Sequence, residues 1–152
     1  MPRRLAWDDL LIQHVPETET RIWLGYWSAT IEGRVAPVFL SKFGDWFLRR
    51  PDGSTDELSV IDGRCSQVAG TPEEFHTLVN TPVWQEEHLL SFHVFQLHER
   101  GLVPKASECY AFAPHPLISG RINIDEALVM DIGVWQHICA QLICAPPSQD
   151  SK

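Results

Sequence analysis

Trp46-Phe47-Leu48-Arg49-Arg50-Pro51-Asp52-Gly53-Ser54-Thr55-Asp56-Glu57-Leu58-Ser59-Val60-Ile61-Asp62 decides the fold of this chain. Its first three residues are aromatic or bulky aliphatic, as strands favour. Pro51-Asp52-Gly53-Ser54 then combines a preset φ, a carboxylate able to bond its own backbone, and a glycine free to take positive φ. That combination closes a hairpin, with Leu58 to Asp62 as the returning apolar segment and Gly63 as the next turn. Upstream, Ile22-Trp23-Leu24, Tyr26 to Ile31 and Val35 to Leu40 are equally rich in aromatic and β-branched residues, punctuated by Glu32-Gly33 and Phe43-Gly44-Asp45. From Arg21 to about Ala69 the expectation is an antiparallel meander, in which Trp23 and Trp27 share a strand face. Ahead of it, the apolar residues between Arg4 and Val15 recur at helical spacing and stop at Pro16.

The signals change after Ala69. Thr71-Pro72-Glu73-Glu74 reads as a helix start: a capping threonine, a proline where its missing N–H is harmless, and a glutamate placed for a capping box. Thr81-Pro82 repeats the device and predicts a long, mostly buried helix running to Arg100, with Gly101 as its left-handed C-terminal residue and Leu102 as the following apolar contact. Cys109 to Ala113 and Ala127 to Ile132 read as strands, Gly133 to Ile143 as a helix, and 145–152 as a polar tail. The expected architecture is a single α+β domain over 1–152. In it an antiparallel β-meander packs on a long central helix, followed by a C-terminal strand–helix unit.

With 152 residues the chain can bury a full core. Twenty Asp+Glu against 12 Lys+Arg give a net charge of −8, which argues against nucleic acid and anionic membrane as partners and favours a basic protein. No apolar run reaches the length of a membrane helix, and Asp8-Asp9 interrupts any signal-peptide core, so the expected compartment is the cytoplasm. The four cysteines form no C-x-x-C pair and are expected as reduced thiols.

Catalytic motifs are missing. His88, His93 and His98 lie five apart, which on one helix separates neighbours by about 140°, the wrong geometry for a shared metal. The glycines form no phosphate loop, and Ser119 near His115 lacks the strand–turn–helix setting of a nucleophile. Adjacent carboxylates such as Asp8-Asp9 and Glu86-Glu87 point in different directions. No catalytic residue, metal or cofactor is therefore assigned.

One resemblance runs through the order of the pieces. Phe43-Gly44-Asp45-Trp46-Phe47-Leu48 leads through Asp52-Gly53 to Leu58-Ser59-Val60-Ile61-Asp62. The capped Glu73-Glu74-Phe75 helix and the helix ending at Gly101-Leu102 come next, then Cys109-Tyr110-Ala111-Phe112, Pro116-Leu117-Ile118-Ser119-Gly120 and the terminal helix with His137. Over about residues 34–143 this resembles the C-terminal domain of bacterial type VI secretion immunity proteins, long catalogued as a domain of unknown function. The resemblance implies a non-enzymatic protein that neutralises a nuclease-type toxin by occlusion, without cofactor. This chain departs from that family's Pro-Pro-x-Leu-Gly-Gly at His115 to Gly120, where Ser119 replaces a glycine, and in carrying Glu126 where an asparagine is usual. The candidate contacts to a basic toxin are the acidic turn residues Asp52, Asp56 and Glu57 and the loop bearing Ser119, Asp125 and Glu126. The alternative is a small-ligand or small enzyme domain with an aromatic pocket between sheet and long helix, lined by Trp23, Trp27, His93 and Tyr110.

Overall fold

The Pro51–Ser54 hairpin forms as read in the computed structural model of the chain, which describes residues 9–13 and 15–144. Asp52 Oδ1 accepts from the Ser54 N–H at 2.9 Å, Gly53 takes φ +91°, and the Arg50 N–H donates to Ser54 O at 2.8 Å. The strands it joins are β3 (Trp46–Arg49) and β4 (Thr55–Leu58), with Trp46 opposite Leu58 and Arg49 opposite Thr55. The returning strand therefore precedes the expected one. Ser59 to Arg64 makes the next turn, where Gly63 is at φ +75°, and β5 (Cys65–Ala69) follows.

With β1 (Leu11–Ile12) and β2 (Ala36–Ser41), these strands make a five-stranded antiparallel sheet in sequential order, the meander expected. Trp46, Phe47 and Leu48 are all buried because both faces of β3 are covered. On one face Phe47 joins Phe39, Phe75 and Trp84 in a ring cluster with centroids 4.9–6.4 Å apart. On the other, the Trp46 indole N–H donates to Gln136 Oε1 at 2.9 Å.

The helices partly depart from the reading. The aromatic run near Trp23 is a helix, α1 (Glu17–Gly25), and Trp27 lies in the turn after it. Pro16, Glu17 and Glu19 are helix-start residues, and of the apolar run that suggested a strand Trp23 and Leu24 pack on the core while Ile22 is exposed. Of the expected helix between Arg4 and Val15, residues 4–8 and 14 lie outside the described residues, and Leu11–Ile12 is a strand. The tail at 145–152 also lies outside them.

α2 (Pro72–Val79) and α3 (Pro82–Leu89) begin as read: Thr71 Oγ1 accepts from the Glu74 N–H at 3.1 Å, and Thr81 Oγ1 from the Trp84 N–H at 3.3 Å. Glu74 reaches back one residue beyond its cap, accepting from the Gly70 N–H at 2.6 Å. The long helix is broken. Leu90 adopts φ 53°, and α4 (Ser91–Glu99) starts afresh. Glu86 Oε1 accepts from Ser91 Oγ at 3.0 Å and from the Phe92 N–H at 2.8 Å, satisfying groups that a continuous helix would have paired with its own carbonyls. A left-handed leucine costs about 1 kcal/mol or more, held here by burial of Trp84 and Leu89 before it and Val94 and Leu97 after it. α4 ends in the expected motif, with Gly101 at φ +84° and the Leu102 N–H on Leu97 O at 2.9 Å.

β6 (Glu108–Phe112) and β7 (Ala127–Asp131) pair antiparallel, and α6 (Ile132–Cys144) follows directly. Gln136 on α6 joins the layers: its Oε1 accepts from Trp27 at 2.7 Å as well as from Trp46, and its Nε2 donates to Gly44 O at 2.8 Å. The result is one α+β unit around one core.

Candidate functional site

The loop between β6 and β7 is held from several sides. His115 Nδ1 accepts from the Leu117 N–H at 3.0 Å, so its Nε2 carries the proton, which it donates to Val60 O at 3.2 Å. Both nitrogens are engaged, and burial holds this imidazole below its ordinary pKa, so it stays neutral. The helical turn α5 (Pro116–Ser119) starts there and closes at Gly120, φ +88°, where a side chain would be strained. Ser119 Oγ donates to Arg121 O at 2.9 Å, and Asn123 Oδ1 caps a 3-10 turn, Ile124–Glu126, by accepting from the Asp125 N–H at 2.9 Å. Arg100 Nη1, at the C-terminal cap of α4, donates to Asp125 Oδ1 at 2.8 Å.

This anchored loop presents apolar side chains to water. Leu117 is 50%, Ile118 67% and Ile122 40% exposed, beside Asp125 and Glu126. Lone exposed apolar side chains are ordinary; here three lie on one short, internally bonded loop. Ser119, Asp125 and Glu126 thus fall together on one element, as the sequence suggested. The sequence does not single out Leu117, Ile118 and Ile122 as exposed, because apolar residues in a proline–glycine loop carry no periodicity to show which way they face.

The hairpin acids are placed differently. Asp52 is exposed and bonded to its own turn, with Ser54 Oγ at 2.7 Å, which holds its carboxyl below the usual range. Asp56 Oδ2 accepts from Arg50 Nε at 2.8 Å, and Arg50 Nη1 also donates to the carbonyls of Glu32 and Arg34. Asp52, Asp56, Arg34 and Arg50 rim an open polar cavity of about 480 Å³. Glu57 Oε1 meets His88 Nδ1 at 2.7 Å, and this contact raises the pKa of His88, whose ring lies 4.8 Å from that of Trp84. Asp56 and Glu57 therefore direct their charge inward, onto Arg50 and His88. Nothing at the sequence level linked Glu57 to His88, 31 residues on.

Of the four aromatic or histidine candidates, Trp23 lines a cavity of about 420 Å³ beside β7 and α6. Trp27 and Tyr110 are fully buried, Trp27 on Gln136 and Tyr110 donating its hydroxyl to Leu102 O. His93 is half-buried on α4, its Nδ1 3.4 Å from Gln96 Oε1. The pair Trp23 and Trp27 belongs to a helix and the turn after it rather than to a strand face.

Among the described residues no group of three or more His, Cys, Asp or Glu side chains is placed to hold a metal, and no helix is long and apolar enough to cross a membrane. All four cysteines are free thiols, and burial pushes those of Cys109 and Cys139 far up, so neither holds a thiolate at neutral pH.

Comparison with known proteins adds the fold. No family model matches the chain, and no curated protein matches it. The structure is similar to the crystal structure of Atu4351 from Agrobacterium tumefaciens, with a TM-score of 0.51 at 15% identity. The match covers 80% of this chain and 63% of that one, so this chain spans less than two thirds of that neighbour's length. At this identity the likeness shows a shared fold and nothing further.

Proposed function

We propose that this protein is a non-enzymatic binding protein that neutralises a basic, nuclease-type secreted toxin by covering its working surface. The observation that carries the reading is the 115–126 loop, which holds Leu117, Ile118 and Ile122 out to solvent on a bonded frame and flanks them with Asp125 and Glu126. An apolar centre beside Glu126 and the Arg100-paired Asp125 suits a basic protein, since burial of the centre supplies affinity and negative charge speeds encounter. The net charge of −8 acts in the same direction at longer range. The resemblance to immunity domains supports the same class.

The test uses the purified chain with the product of whichever toxin-like gene neighbours its own. Stoichiometric inhibition of DNA cleavage is expected, with an association rate that falls as salt rises. Ile118→Asp should weaken binding by about thirtyfold, as loss of a central apolar contact does. Asp52→Asn, on the hairpin, should leave it unchanged. A chain that neither binds nor inhibits that toxin, while its thermal melt shows it folded, overturns the proposal.

A further inference from the structure

We propose that the Trp23 cavity is a binding site for an alkylammonium or guanidinium group carried on an apolar stem. It lies between α1, the segment leading into β6, and the β7–α6 junction. About 420 Å³ is within the range of small-molecule sites and exceeds what one basic side chain fills. Val15, Pro16 and Ile132 form apolar wall, Trp23 the aromatic wall, and Glu19 and Asp131 supply the charge. The inference uses none of the residues of the 115–126 loop and stands whether or not that loop contacts a toxin.

Three features select a cation. Glu19 and Trp23 are four apart on α1 and so share its face. Gly133 brings the indole against the start of α6, since a Cβ there would lie 2.7 Å from Trp23 Nε1 and 3.3 Å from Asp131 Oδ1. The bare backbone thus sets ring and carboxylate side by side. Finally, the two carboxylates are not neutralised. Glu17, on the same helix, pairs with Arg21 at 3.1 Å, whereas Glu19 pairs with no described cation. Asp131 Oδ1 accepts only the Val134 N–H, at 3.0 Å. Glu108, opposite Asp131 in the β6–β7 ladder, adds to the negative field. An anion would be repelled here, and an uncharged apolar ligand would strip water from carboxylates without pairing them. A cation on an aliphatic stem meets the indole, the acids and the apolar wall together.

The test follows the six indole N–H resonances of the ¹⁵N-labelled protein, with Trp23→Phe identifying the one from Trp23. Acetyl-arginine methylamide and butylammonium should shift that resonance saturably. The uncharged acetyl-citrulline methylamide should bind at least about tenfold more weakly. Glu19→Gln with Asp131→Asn, which keeps an acceptor for the Val134 N–H, should lose about tenfold for the cations with an unchanged thermal melt. Gly133→Ala, by displacing the indole, should lose the shift. Equal binding of citrulline and arginine, or no saturable shift to about 30 mM ligand in protein with a native spectrum, overturns the site. A Gly-Arg-Gly peptide binding more tightly than butylammonium indicates a protein side chain as the source, and the reverse order a free amine.

Discussion

Asp45 makes the stability of this protein depend on pH in the direction opposite to that of most carboxylates. It sits in the β2–β3 turn at 8% exposure, with Oδ1 accepting from the Val60 N–H at 2.9 Å and Oδ2 3.4 Å from Ser41 Oγ. Burial pushes its carboxyl up from 3.8 to about 7, with help from the negative charges of Glu57 and Asp62, against the pull of Val60 and Ser41. The folded state therefore binds this proton more tightly than the unfolded state, and stability falls as pH rises from about 4 to about 7, with the full cost present above that. His88 adds to the trend. Its raised pKa, due to the hydrogen bond with Glu57, contributes stability that is complete below its ordinary 6.5 and is lost as pH rises through its folded value.

At about 1.4 kcal/mol for each tenfold, moving a carboxyl from 3.8 to about 7 sets an upper bound of about 4 kcal/mol. Asp45→Asn keeps the acceptor for Val60 and removes the charge with little change in shape, giving up only the 3.4 Å contact that Ser41 Oγ donates. It should be near neutral at about pH 4 and stabilise the protein by about 2 kcal/mol at pH 9, allowing for relaxation around the ion, which is roughly 4–8 °C in Tm. Urea unfolding of both proteins from about pH 4 to pH 9 reads this directly. Equal loss of stability by the variant at both ends would show Asp45 ionised throughout and refute the reasoning.

Other expectations concern the joints of the fold. Gln136→Leu strands the indole N–H groups of Trp27 and Trp46 in the core, and should cost about 3 kcal/mol or more in urea unfolding. Glu86→Ala removes the acceptor that starts α4 after the break, a loss of about 1 kcal/mol with hydrogen exchange rising first at Ser91 and Phe92. Gly63→Ala meets both a φ of +75° and the Cγ2 methyl of Ile143. It should lower stability by about 2 kcal/mol, and a thermal melt equal to that of the parent would contradict the tight approach of α6 to this turn.

The elements legible in the sequence are those whose cause lies within a few residues. Asp52 bonds Ser54, Thr71 caps at Glu74, Thr81 caps at Trp84, and Gly101 closes a helix onto Leu97, each through backbone groups at most five positions apart. Such contacts are dictated by φ preference and side-chain reach, which a sequence carries in full. The loop acids Asp125 and Glu126 could be singled out by charge, but their apolar companions Leu117, Ile118 and Ile122 needed the anchoring of His115 to Val60, 55 residues away, before their exposure was evident.

What only the tertiary structure decided is set by contacts between distant segments. The aromatic run around Trp23 suits strand or helix by composition, and packing against α6 with Trp27 bonded to Gln136, 109 residues on, selects the helix and turn. The break at Leu90 has no glycine or proline to announce it, and is held by core positions on both sides of it. The proton on Asp45 and the pairing of Glu57 with His88 follow from burial and proximity, which are properties of the closed fold. Local geometry is written in neighbouring residues. The identity of an element and the charge of a buried group depend on what the rest of the chain brings against them.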